Sequence, residues 1–264
     1  CTGLAVEVVD LEAIEVGDTT LTGSMSAGDL AIVVVFGWNN DSAVVSCSVS
    51  GNSLSWTKRE VESSNSNKHI YVCIAYATYS SADTASITVD VTNTDNVHAL
   101  LYKLPGGAYV QHKTGSGDTH SGNPTTFSIT LDSAPSSANA VMQAFGIIEA
   151  FDGQCTVAPA SGWTELDGNE TGALGDMSSF VGWREGSTST TVAVEFNNDE
   201  YREAMVAVEF SSSSGTTVTT PGHWLTSLSN ASGSVICRPC TIRMCWPLSV
   251  TSGWPSLRRS RAWP

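Results

Sequence analysis

Three cysteines near the end of the chain stand in the spacing Cys237-x-x-Cys240-x4-Cys245, with His223 upstream. Three thiolates and an imidazole are a donor set for tetrahedral zinc. The second CxxC that commonly closes such a site is missing, so disulfides or unpaired thiols describe Cys237, Cys240 and Cys245 better. Seven cysteines is an odd number, and all of them cannot pair within one chain. Cys47 and Cys73 fall on expected strands of the first half. There they would either cross-link two sheets or serve as small buried hydrophobes.

Oxygen-rich turns offer a second chemistry. Asn39-Asn40-Asp41, Asn93-Thr94-Asp95-Asn96 and Asn197-Asn198-Asp199-Glu200 carry hard ligands of the kind calcium takes. Asp95 and Asp199 are the candidate calcium ligands, and calcium is the only cofactor the sequence suggests. The same residues are favoured in turns because their side chains bond the local backbone, and none shows the twelve-residue EF-hand spacing. Trp38 ends a long apolar run beside one of these turns, which makes it the candidate for an exposed ring stacking on a sugar. Tyr79 and Tyr109 are the residues that would extend such a carbohydrate-binding face. Trp56 and Trp163 each follow a turn and precede Thr, a placement that suits core packing.

Catalytic signatures are sparse. No glycine-rich phosphate loop, GxSxG elbow or HExxH helix occurs, and the five histidines lack metal-ligand spacing. Ser116, Asp118 and His120 collect triad residue types within a Gly-rich stretch that reads as a loop between two halves, whereas working triads draw on separate elements. A carboxylate pair for glycoside hydrolysis is defined by separation in space, and Glu165, Asp167, Glu195 and Glu209 are candidates for one. The chain is therefore expected not to be an enzyme.

The elements that would position these residues are strands. Asp29 to Gly37, His69 to Tyr76 and Val97 to Leu104 are apolar runs bounded by turn residues. Ser86 to Val91, Thr125 to Leu131 and Thr190 to Phe196 alternate with period two. Ala140 to Ile148, Ser178 to Trp183 and Ala204 to Phe210 complete the set. The only helical suggestion is a turn within Asp199 to Val206. The expected fold is all-β, built as an antiparallel β-sandwich or jelly roll.

The features recur in order. Trp56 and Trp163 are separated by 107 residues, and so are Tyr76 and Trp183. Each half continues with an alternating strand, an acidic turn and a last apolar strand. Two tandem sandwich domains are expected over 1–106 and 107–213. An irregular tail spans 214–264, after the linker-like run Ser211 to Gly215.

The formal net charge is -14, from twelve Lys and Arg against twenty-six Asp and Glu. That balance disfavours nucleic acid and anionic membrane as partners, and no apolar stretch approaches the roughly 20 residues of a spanning helix, so membrane insertion is not expected. All the carboxylate side chains precede the last 55 residues, which hold five arginines and four tryptophans. The tail is thus basic and suited to docking on an acidic body, its own or a neighbour's.

Gly28-Asp29-Leu30, Ser161-Gly162-Trp163-Thr164 and Thr190-Thr191-Val192-Ala193-Val194, with Ser55-Trp56-Thr57 as first-half counterpart, resemble steps in the β-sandwich modules of tailed-phage structural proteins and of bacterial or viral surface proteins. The resemblance covers about 1–213 and implies a structural, decorating or adhesive role with no catalytic residues to carry over. The expected role is a structural or surface-assembly protein, extracellular or on a virion surface, which self-associates or joins a larger particle. The alternative is a carbohydrate-binding adhesion module with glycans as partners.

Overall fold

The computed structural model describes residues 6–14, 19–40, 43–65, 68–118, 125–149, 156–169, 177–197 and 200–211. Cys155, Asp199, His120, His223 and the tail with Cys237, Cys240 and Cys245 lie outside the described residues. The first half supplies β1 (Glu7–Ile14), β2 (Thr19–Met25), β3 (Asp29–Asn39), β4 (Ser46–Gly51), β5 (Thr57–Asn65), β6 (Lys68–Thr78), β7 (Asp83–Thr92) and β8 (Asn96–Pro105). The second supplies β9 (Ala108–Asp118), β10 (Thr125–Thr130), β11 (Ala140–Glu149), β12 (Thr156–Pro159), β13 (Thr164–Asn169), β14 (Met177–Glu185), β15 (Thr191–Asn197) and β16 (Glu200–Ser211). No helix occurs among the described residues, and the helical turn expected around Asp199 to Val206 is instead the start of β16. Its residues from Arg202 to Phe210 are buried on both faces, so an apolar run of that kind is satisfied as a central strand.

All pairings are antiparallel and form four sheets. The first large sheet has the order β1-β8-β3-β6-β5 and the first small sheet β2-β7-β4. The second large sheet has the order β13-β14-β11-β16-β9 and the second small sheet β10-β15-β12. Matching β9–β16 to β1–β8 in sequence makes the two halves topologically identical. The order is that of an eight-stranded jelly-roll-like sandwich in which the fifth strand pairs beside the sixth. The repeat extends to register: Thr57 opposes Tyr76 and Thr164 opposes Trp183.

Periodicity reports the layer in which each strand lies. β3 is buried at all eleven positions, and a strand covered on both faces reads as a continuous apolar run. β7 and β10 alternate because one face of a small sheet meets water. Three cores follow. One lies between the first small and first large sheets, with Leu21, Val35, Ile87 and Leu101. Its counterpart in the second half holds Phe127, Phe145, Val192 and Phe196. The third core is shared by the two large sheets, joining Ile32, Phe36, Ile74 and Tyr102 to Met142, Val181, Trp183, Val206 and Phe210.

The two large sheets pack face to face. β6 lies on β16 and β11, β5 on β16 and β9, and β3 on β11, while β8 meets β14 through a side-chain bond. The packing is lopsided: β5 and β6 approach β16, β11 and β9 closely, whereas their equivalents β13 and β14 lie farther from β8, β3 and β1. Gly146 on β11 leaves room for this approach: a Cβ there would meet Val72 at 3.0 Å and Ile70 at 3.1 Å.

Candidate functional site

The most chemically varied cluster lies between the large sheets. On β8, even-numbered residues such as Leu100 and Tyr102 face the shared core, and His98 points the same way. Its ring stacks on Phe36, which lies opposite it on β3, with centroids 5.8 Å apart. Across the interface His98 Nδ1 is 2.9 Å from Ser179 Oγ on β14. On the other side of the ring, Nε2 lies 3.6 Å from Asp167 Oδ2. Asp167 belongs to β13, whose register shifts between Glu165 and Asp167. Bulges re-aim side chains in this way, and here the bulge carries the carboxylate inward at the sheet edge. Tyr102 adds a buried hydroxyl, and neither Tyr102 Oη nor Asp167 Oδ2 has a protein hydrogen-bond partner.

Burial sets the electrostatics. Desolvation lowers the His98 pKa to about 4, because the charged imidazolium is the form that loses hydration. Desolvation first, and then the nearby Glu165 charge, raises Asp167 to about 6. The Tyr102 phenol is pushed well above its ordinary value by burial and by Asp167. Near neutral pH the cluster therefore holds a neutral imidazole beside a carboxylate.

Ser, His and Asp are the residue types of a nucleophilic triad. That chemistry requires a hydroxyl a substrate can reach, and here both Ser179 and His98 are 1% exposed. In this conformation the His98–Ser179 hydrogen bond ties β8 to β14, and the Asp167 carboxylate of β13 lies beside the ring. A second tie closes the opposite edge, where Ser63 Oγ on β5 donates to the Gly117 carbonyl on β9 at 2.9 Å. Nearby, Tyr109 stacks on Tyr76 at 5.2 Å with Arg59 over its ring at 5.0 Å.

The residues singled out in the sequence are not brought together. Trp38, expected at the surface, is 6% exposed and packs in the shared core, because the second large sheet covers the face of β3 that a single sandwich would leave open. Tyr79 is also buried, on the other face of the first large sheet, with its hydroxyl donating to Asn52 at 3.1 Å. Tyr109 is half-buried in the stack with Tyr76. The three rings form no common exposed face.

Asp95 accepts a hydrogen bond from Asn40 N at 2.9 Å, and Asn39 Nδ2 donates to the carbonyls of Ala43 and Asn93, both at 2.6 Å. The two polar turns thus lean on each other. Among the described residues no group of three or more His, Cys, Asp and Glu converges as a metal site.

The carboxylates also disperse. Glu165 and Glu195 are exposed on different sheets. Glu209 is buried and accepts from Gln111 and Asn139, both at 2.5 Å, and from Ser136 N at 3.1 Å. Ser116 and Asp118, read as loop residues, belong to β9. Its glycines are there for close approach, since a Cβ on Gly115 would collide with Ile129 and one on Gly117 with Glu203. Cys47 and Cys73 are free buried thiols in one core. Trp163 packs in the second core beneath the Arg184 guanidinium, 4.5 Å from its ring, and Trp56 packs half-buried against the first.

No family model, curated protein or solved structure matches the chain. Sequence reasoning missed the Ser179–His98–Asp167 cluster because its members come from three strands and two halves. The one available signal was His98 and Ser179 interrupting otherwise apolar central strands.

Proposed function

We propose that the protein is a non-enzymatic structural protein that packs into a larger extracellular or virion-surface assembly. The observation that carries this reading is the use made of the reactive side chains: Ser179 and His98 bond to each other across two sheets, with Asp167 beside them, instead of lining a cleft. Among the described residues, Trp38, Tyr79 and Trp163 are likewise spent on packing. What is left outward on the first small sheet is a nearly uncharged carpet of hydroxyls. Thr20 pairs with Thr88, Thr22 with Ser86 and Ser24 with Thr84, while Ser50 faces Thr88, Ser46 faces Thr92 and Ser48 faces Asp90, the carboxylate of this face. A flat sheet face of this kind suits contact with another copy in a protein whose net charge of -14 otherwise favours mutual repulsion. Edge strands on all four sheets supply further pairing sites.

Light scattering with electron microscopy on the full chain tests this role. Regular oligomers or fibres are expected, lost on Thr22→Lys combined with Thr88→Lys while the unfolding midpoint is unchanged. A monodisperse monomer at every concentration would overturn it, and binding on a glycan array by that monomer would favour the adhesion alternative.

A further inference from the structure

The seam between β4 and β5 is built differently from the rest of the fold. β4 and β5 are both edge strands, in different sheets, and no main-chain ladder joins them. Side chains of β5 replace it. Lys58 Nζ donates to the Cys47 carbonyl at 2.6 Å, and Glu62 accepts from Val45 N at 3.0 Å. Glu62 is held in turn by His69 Nδ1 at 2.7 Å, and Lys58 by Glu60 at 2.9 Å. The Tyr71 hydroxyl donates to the same Glu60 carboxylate.

Directly beneath this seam lie Cys47 on β4 and Cys73 on β6. One comes from the small sheet and one from the large, both side chains lie in the same core, and each thiol is the first influence on the other's titration. Cys73 is fully buried and Cys47 is 5% exposed, so of the two, Cys47 is nearer to solvent. We propose that Cys47 and Cys73 form a reversible dithiol–disulfide site, oxidised by small hydroperoxides, that fastens the small sheet to the large one across the first sandwich.

The environment divides the labour between the two sulfurs. The Cys73 thiol, followed in effect by the Lys58 ammonium, favours the Cys47 thiolate against the cost of its burial. Cys47 and burial push Cys73 up and hold its proton. The thiolate is the nucleophile, so Cys47 Sγ attacks the peroxide O–O bond, forms a sulfenic acid and releases hydroxide, or alkoxide from an organic peroxide. Cys73 Sγ then attacks that sulfur, the S–OH bond breaks, and its proton leaves with the hydroxyl as water. One hydrogen peroxide and two thiols thus give one disulfide and two waters. Cys47 is 5% exposed as a residue, and small hydrogen peroxide reaches such a site more readily than a bulky alkylating reagent.

The test uses the full chain, reduced and then treated with hydrogen peroxide at neutral pH. Proteolysis without reductant, followed by mass spectrometry, is expected to yield a peptide pair joined through Cys47 and Cys73. Dithiothreitol should separate it. A cross-link between sheets removes freedom from the unfolded chain, so the oxidised form should gain on the order of a hundredfold in its folding equilibrium, read from urea midpoints. Cys73→Ala should stop oxidation at a Cys47 sulfenic acid that a dimedone probe captures after unfolding. Cys47→Ala should leave Cys73 reduced. Recovery of both thiols reduced from the treated folded chain, or of Cys47 paired with a different cysteine, would overturn the proposal. The mapping on the unmodified sequence stands even if a variant fails to fold.

Discussion

The two halves run the same strand order over differently filled cores, and the differences compensate in part. In the first half one cross-strand row inside the sandwich reads Cys73–Val35–Ala99; its equivalent in the second reads Phe180–Phe145–Met205. Of the rows on either side, one offsets part of the imbalance and the other is nearly level. Ala75–Val33–Leu101 stands against Gly182–Gln143–Ala207, and Tyr71–Gly37–Val97 against Ser178–Ile147–Glu203. Volume is concentrated in the middle row of the second half and spread over the three rows in the first. Close-packed interiors tolerate such trades when the total is kept. Strand order therefore depends on alternation and turn placement, while each core finds its own residues.

The sharpest way to break this comparison is to remove the central ring. Phe145 touches Phe127 and Phe196 at centroid distances of 5.8 and 5.7 Å. Phe145→Ala should cost about 3–5 kcal/mol, and the equivalent Val35→Ala only about 2 kcal/mol. Urea unfolding of both variants reads the difference. Equal losses would mean that the aromatic row is not the keystone of the second core.

The interface between the large sheets gives a second contrast, because its two ends have diverged. Asp167 opposes Val181 as Arg59 opposes Ile74, and Ser179 occupies the place of Val72. Only the Ser179 end carries a buried acid and imidazole. The lowered His98 pKa gives stability that is fully present above about pH 6.5 and lost as pH falls toward about 4. The raised Asp167 pKa gives stability present below its ordinary value of 3.8 and lost as pH rises through about 6. Between these limits the two slopes oppose each other in the unmodified chain. Asp167→Asn uncovers the His98 slope and should lose on the order of 3 kcal/mol between pH 6.5 and 4. His98→Gln should show the reverse trend, becoming relatively more stable in acid. Midpoints measured across this range that track the unmodified protein in both variants would show that the pair does not titrate as a unit with folding.

The layers of the fold were legible where burial is one-sided or two-sided in a regular way. DLAIVVVFG and SITVDV announce a central and an outer strand, and the 107-residue spacing of Trp56 and Trp163 marks the duplication. β5 was not legible: TKREVESSN is an edge strand whose polar residues reach across a seam, and such a strand has no sequence period to betray it. The site was hidden for a related reason. Whether Trp38 meets water depends on a sheet whose first strand begins 70 residues later, at Ala108, and the partners of His98 are fixed by how two halves dock. Nothing local to Trp38 or His98 encodes that contact.

A smaller effect isolates the polar clasp from its charges. Ser179→Ala leaves His98 Nδ1 buried without its 2.9 Å partner, and an unmet buried polar group costs about 1–3 kcal/mol. Val72→Ala, at the equivalent place in the first half, removes only apolar contact. The clasp predicts that Ser179→Ala combined with His98→Phe recovers part of the loss, since both polar partners are then gone. A strictly additive double variant would argue against the coupling.

The smallest effect concerns the β4–β5 seam. Lys58 donates to the Cys47 carbonyl and to Glu60, and its side chain is 33% exposed. Water replaces part of what it offers, so the exposed ion pair with Glu60 adds little, and the bond to the carbonyl is the larger share. Lys58→Met keeps the apolar stem and removes the donor, at an expected cost of about 1 kcal/mol. The second half has Glu165 in the matching register position, exposed to solvent, and Glu165→Met should leave stability within about 0.5 kcal/mol of the parent. Amide exchange sharpens the contrast: Lys58→Met should speed exchange in β4 and leave β12 untouched, because Lys58 bonds to the main chain of the first-half strand alone. Uniform acceleration across both halves would mean that Lys58 acts on global stability and not on the seam.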